Sequence, residues 1–223
     1  NSYGEFYILE AGGSIEFINK NKFFLSTGTF RFRDLSQIEN NIFGKILLID
    51  LDKKNQNIIS IGHRNIQGMF YDSNNDILFS IDHGPQGGDE INLNFSPLNK
   101  KIKNYGWPIS SYGEHYGGKI EKNKIKYEKA PLHKSHEKYG FIEPHKFFVP
   151  SIAPSDILFI PKEFDRNFRN NIYVSSLGFK NDNGRRSIHT FNLDNNFKLE
   201  NHEIIPLNDR VRDIEYLKKR NSI

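Results

Sequence analysis

Gly68-Met69-Phe70-Tyr71-Asp72-Ser73-Asn74-Asn75-Asp76-Ile77-Leu78-Phe79-Ser80 decides the fold. An apolar and aromatic run meets a five-residue polar turn, and a second apolar run follows at once. That is the signature of a β-hairpin. The same unit occurs earlier, as Ser14–Phe17, the turn Asn19–Lys22, and Phe23–Gly28. It occurs later as Asp156–Phe159 and, after a longer connection, Ile172–Ser176. A third strand follows each copy: Lys45–Asp52, Glu90–Asn94 and Ser187–Asp194. Fourth strands are expected at Ile58–Ile61 and Glu203–Ile205. Four strands recurring at about fifty residues describe a propeller blade. The expected class is therefore all-β, a β-propeller, with a β-sandwich as the alternative. Residues 1–223 are read as one partial propeller domain. No segment carries a long helical period.

Composition agrees. The 223 residues include 19 Phe and 10 Tyr, and aromatic enrichment favours strands, although only 36% of the chain is hydrophobic. A net charge of +4 and a pI near 9.0 are too mild and too dispersed for a nucleic-acid surface. Without cysteine there is no disulfide, thiolate site or catalytic thiol. No stretch is long enough to span a membrane. The chain starts at Asn1 before an apolar run and stops at Ile223 beside what looks like another unit, so it reads as a fragment.

The longest irregular stretch, Asn99–Phe148, holds His115, His133, His136 and His145. Their spacing matches no helical metal-ligand pair. His133 and His136, set among lysines, read as solvated loop.

Two polar segments stand out. Gly62-His63-Arg64-Asn65-Ile66-Gln67-Gly68 joins a fourth strand to the next first strand, at an end of the expected channel. Arg64 offers a planar fork for carboxylates, and Asn65 both donates and accepts. The segment would serve a ligand rim or a polar staple between blades. Asp82-His83-Gly84-Pro85-Gln86-Gly87-Gly88-Asp89-Glu90 follows the second strand of a hairpin. Its Gly-Pro turn can expose carbonyl oxygens, which suit Ca²⁺, or be a turn without a ligand.

These two segments, with Asn104-Tyr105-Gly106-Trp107-Pro108, closely resemble the soluble PQQ-dependent sugar dehydrogenases of the glucose/sorbosone dehydrogenase family. Val149–Ser155, Val174–Leu177 and Arg210–Asp213 are similar to further landmarks of that family. The resemblance implies a six-bladed β-propeller of which this chain supplies about four blades. It implies the tricarboxylated quinone PQQ and Ca²⁺ as cofactors, an aldose-type sugar as substrate, and an external electron acceptor. By position, Arg64 and Asn65 would meet quinone and substrate, and the Gly84 and Pro85 carbonyls would hold Ca²⁺. Ser151, Arg210 and Arg212 would grip PQQ. The family's base histidine falls at Glu10, preceded by Leu9 where the family has Asp, and its Gly-Asp pair falls at Gly28–Thr29. A PQQ-binding lysine is replaced by Gly178, with Lys180 two residues on. Glu10 is then the expected base. The alternative is a catalytically degenerate propeller that binds a sugar or a protein. The family resemblance also implies a periplasmic or secreted location.

Overall fold

The computed structural model describes residues 8–99, 101–160, 171–178, 186–217, 219–220 and 222–223. Thirteen strands form three sheets among these residues. The first sheet contains β1 (Gly12–Asn19), β2 (Lys22–Thr27), β3 (Lys45–Asp50) and β4 (Asn55–Ile61) in antiparallel order. The second contains β5 (Ile66–Asp72), β6 (Ile77–Asp82) and β7 (Asp89–Phe95). The third contains β10 (Pro154–Phe159), β11 (Ile172–Ser176), β12 (Ser187–Leu193) and β13 (Leu199–Pro206). All three hairpins expected from the sequence form in the expected places.

Strand position explains the residue patterns. β1 alternates half-buried and exposed residues along its whole length, as a strand with one covered face must. β6, Ile77-Leu78-Phe79-Ser80-Ile81-Asp82, is buried at every position because both faces of its sheet are covered. On one side, Ile66, Met69 and Leu78 pack with Phe24, Ile46 and Ile59 of the first sheet. On the other, Phe79, Ile81, Ile91 and Leu93 pack with Ile157, Ile172, Val174 and Phe191 of the third. The sheets therefore stack face to face like successive blades. The first strands are neighbours, with β1 against β5 and β5 against β10. A cavity of about 500 Å³ runs along them, lined also by Arg212–Glu215.

The described residues form three blade-like sheets. The segment after β13 contributes an inner stretch beside β10 and the isolated bridge Leu217–Ser222, but no further sheet. The irregular stretch 99–148 also carries more structure than its sequence suggests. It contains β8 (Lys103–Asn104), parallel to β4, the short helix α1 (Lys124–Lys129), and β9 (Lys146–Phe148). β9 pairs with β7 and supplies the fourth strand of the second blade. Strands of two and three residues are too short for alternation to reveal. His136 is buried, not solvated.

Candidate functional site

The loops at the starts of β1 and β5 and between β6 and β7 meet at one end of the stacked sheets. Asp82, the last residue of β6, fixes the β4–β5 connection. Its two carboxylate oxygens accept the backbone N–H groups of Arg64 (3.0 Å) and Asn65 (2.6 Å). His83 N–H donates back to the Asn65 carbonyl at 3.1 Å. The Asn65 side-chain oxygen accepts from Gly12 N–H and Gln67 Nε2, each at 3.0 Å, which ties in the start of β1. Asn65 thus acts as a staple between the starts of β1 and β5.

Glu10 and Arg64 form a buried ion pair. Arg64 Nη2 donates to Glu10 Oε1 at 2.7 Å, with the two side chains 8% and 7% exposed. Thr29 Oγ1 donates to Glu10 Oε2 at 2.7 Å, and Arg64 Nη1 donates to the His83 carbonyl at 2.9 Å. Glu10 sits at φ +63°, a left-handed conformation that aims its side chain into the rim. Both of its oxygens are already engaged. The Arg64 and Arg33 guanidiniums lie 5.5 and 5.8 Å from the Trp107 ring centroid, in cation–π range. Burial lowers the Arg33 pKa, opposed by the nearby Glu10 carboxylate. Arg33 Nη1 also lies 3.3 Å from His115 Nδ1.

The Gly84–Pro85 turn is clamped by Asp89. Its Oδ1 accepts Gly84 N–H at 3.0 Å, and its Oδ2 accepts the N–H groups of Ile152 (2.9 Å) and Ala153 (2.8 Å). The Ser151 hydroxyl also bonds this carboxylate. Burial pushes the Asp89 carboxyl up, against the opposing pull of His83 and these donors. Gly84 must be glycine, because a Cβ there would lie 2.2 Å from the Gly88 carbonyl oxygen. Among the described residues, the carbonyls of Gly84 and Pro85 accept no hydrogen bond. No group of three or more His, Asp or Glu that could hold a metal occurs among the described residues. A cation at this turn would therefore rest on carbonyl oxygens.

Glu90 and His136 lie just beneath. His136 Nε2 is 3.3 Å from Glu90 Oε1, and His136 Nδ1 is 2.9 Å from the Tyr105 carbonyl. Burial opposes the charged imidazole, but the Glu90 carboxylate prevails and raises the His136 pKa.

Among the residues picked out from sequence, the structure brings together Glu10, Arg64, Asn65 and Gly84, with Ser151 joined to them through Asp89. Arg210 and Arg212 are exposed on the segment after β13, and Arg212 lines the channel rather than the Arg64 rim. That segment is held to the start of β10: Ser155 Oγ donates to the Val211 carbonyl, and Ile214 N–H donates to Asp156 Oδ2 at 3.1 Å. The start of β10 is in turn tied to the rim, since His83 Nε2 lies 2.5 Å from the Pro154 carbonyl. Lys180 lies outside the described residues. Sequence reasoning gave no role to Arg33, Asp89, Glu90 or Trp107. Trp107 stood in a quoted motif and is the single tryptophan, which was a usable signal.

Comparison with known proteins follows the same lines. The family model described as Glucose / Sorbosone dehydrogenase matches residues 8–219. An uncharacterized protein of Synechocystis is 30% identical over 155 residues, covering 70% of this chain and 32% of that protein. The aldose sugar dehydrogenase of Escherichia coli is 27% identical over 179 residues, covering 74% of this chain and 44% of that enzyme. This chain thus spans less than half the length of these curated relatives. The apo crystal structure of the soluble E. coli aldose sugar dehydrogenase superposes with a TM-score of 0.73 at 26% identity, over 93% of this chain and 58% of that one. The PQQ-bound aldose sugar dehydrogenase of Streptomyces coelicolor superposes at TM-score 0.62 and 21% identity, over 89% and 50%. Its likeness shows the fold.

Proposed function

The chain belongs to the glucose/sorbosone dehydrogenase family, and from that premise we propose that it is part of a PQQ-dependent oxidoreductase acting on an aldose-type sugar. The parent fold is a six-bladed propeller, of which residues 1–223 are one partial domain. The observation that carries the reading is the meeting of Arg64 with the His83–Pro85 turn: the guanidinium donates to the carbonyl immediately before Gly84. A basic fork beside a bare carbonyl turn is the donor set that an anionic quinone with a bound hard cation requires.

Gly84 and Pro85 would supply two carbonyl ligands to Ca²⁺, whose shell of six to eight oxygens leaves room for cofactor and water. When bound, the cofactor would accept hydride, and the cation would act as a Lewis acid towards its carbonyl. Arg64 and Asn65 form the rim that orients substrate. Arg64 lies where it can stabilise negative charge developing on oxygen. Glu10 is the proposed proton acceptor. For that, the sugar hydroxyl would displace the Thr29 hydroxyl from Oε2, while Arg64 keeps Oε1. Ser151 would hold the Gly84 turn through Asp89 rather than touch the cofactor. Arg210, Arg212 and Lys180 remain proposed carboxylate grips. An external acceptor would reoxidise the cofactor, and the protein would work in the periplasm or outside the cell.

The test is reconstitution of the full-length protein with PQQ and Ca²⁺. Quinone absorbance should stay with the protein through gel filtration, and an artificial dye should be reduced with an aldose. Loss of the absorbance on the column ends the proposal. Retained PQQ without dye reduction across a sugar panel favours the binding-module alternative, and a gain of activity in Glu10→His would then identify the missing group.

A further inference from the structure

We propose that a small cavity beneath Arg64 binds one water molecule, which joins the Arg64 guanidinium and the Trp107 indole to the Glu90–His136 pair and makes Glu90 and His136 positioning residues for Arg64. The cavity is lined by Arg64, Glu90, Trp107, Ser110, Ser111 and His136, together with Asp82 and the His83, Gly84 and Gly88 turn. Its volume is about 10 Å³, the space one water needs.

The polar accounting requires an occupant. Among the described residues, Arg64 Nε and Trp107 Nε1 are buried N–H donors that find no hydrogen-bond partner, in residues 7% and 4% exposed. His136 Nε2, in a residue 1% exposed, lies within ion-pair distance of Glu90 without an aligned hydrogen bond. Leaving such donors dry forfeits their hydration with nothing in return. No acceptor among the described residues is placed to take these two N–H groups: the Asp82 oxygens are aligned on backbone N–H groups and Glu90 Oε2 on Asn92 Nδ2 at 3.2 Å. A water oxygen accepts from both unpaired N–H groups and donates onward to Glu90.

Charge selects water over an ion. His136 Nδ1 donates to a carbonyl, and the Glu90 carboxylate beside Nε2 raises the His136 pKa and so favours the charged ring. Arg64 and His136 together repel a metal cation, while Glu90 and Asp82 repel an anion. The charged and titratable groups facing His136 are Glu90 on β7 and, from the long loop, Tyr112 and Glu143. The water would pass the orientation of the Glu90–His136 pair to Nε of Arg64, whose outer nitrogens hold Glu10 and His83.

Trp107 is the one tryptophan of residues 1–223, and in the full-length protein its indole N–H resonance is assigned by its loss in Trp107→Phe. In the ¹⁵N-labelled protein that proton should show a cross-peak to long-lived water. A high-resolution crystal structure should place one oxygen within hydrogen-bond reach of Arg64 Nε and Trp107 Nε1. Glu90→Gln keeps the shape but removes the charge. It should move the indole resonance and speed its solvent exchange about ten-fold, with His136→Gln as the second variant if the first fails to fold. The proposal is overturned by a folded protein with no such cross-peak, by a crystal structure in which both N–H groups bond protein directly, or by variants that leave the indole signal unchanged. None of these readouts depends on PQQ, so the proposed activity can fail without affecting them.

Discussion

Replacing Asp89 by alanine should destabilise the protein by about 3 kcal/mol. The carboxylate serves three backbone N–H groups, those of Gly84, Ile152 and Ala153. The Ile152 bond is fully buried and the other two partly so. A buried donor left without a partner costs about 1–3 kcal/mol, and a donor that water can reach costs less. Taking about 2 for Ile152 and about 1 each for the others gives about 4. Relief of the carboxylate's own burial, which already raises its pKa, takes back about 1. With a urea slope of about 2–3 kcal/mol/M, the unfolding midpoint should fall by about 1–1.5 M. Asp89→Asn should cost about half as much, since its amide oxygen can serve Ile152 and Ala153 while its NH₂ faces the Gly84 N–H. Urea titration followed by circular dichroism measures both. A midpoint shift below about 0.3 M for the alanine variant, at unchanged slope, would refute the clamp.

Lys45 tests the loop that carries Thr29 and Arg33. Its buried ammonium donates to the carbonyls of Leu35 (2.9 Å), Ser36 (2.9 Å) and Phe43 (2.6 Å), so Lys45→Met should cost about 2 kcal/mol by urea titration. Burial lowers the Lys45 pKa from 10.5 to about 8, against the pull of Glu39. The folded state therefore sheds this proton first, and stability from this group rises between those pH values. The gap between wild type and Lys45→Met should be wider at pH 9.5 than at pH 7.5. His145 has its pKa lowered by burial, so below its ordinary value of 6.5 the unfolded chain takes up the proton first and stability is lost. In His145→Gln, the fall in melting temperature on acidification from pH 6.5 should be shallower. Gly88 has φ +68°, and a Cβ there would lie 2.2 Å from Gly113 N. Gly88→Ala should cost about 2–4 kcal/mol in thermal unfolding, through backbone strain and overpacking.

The hairpins were legible because apolar runs broken by polar turns are local properties, so β1–β2, β5–β6 and β10–β11 could be placed from residues alone. The rim was legible in part. Arg64 and Gly84 stood out by their chemistry, but the Asp82 clamp that joins them did not, because an aspartate at a strand end reads as an ordinary turn residue. Glu10 was found through the family resemblance, by counting back along its hairpin to the position of the family's base histidine. Its pairing with Arg64, 54 positions away, is a tertiary fact that no local pattern encodes. His136 was misread for a related reason. Its lysine neighbours are exposed, but the loop folds back and turns this one ring inward against Tyr105 and Glu90.

The second blade takes its last strand from β9, after the whole stretch from 96 to 145 has been laid down. During synthesis at about 5–20 residues per second, β7 waits roughly 3–10 seconds for that partner, its outer backbone groups open to any passing chain. The middle blade is then finished by closing a long loop, the slow kind of step in folding. That interval is when the chain's open sheet edge is most exposed to mispairing, so ribosome pace and chaperone cover bear on it directly.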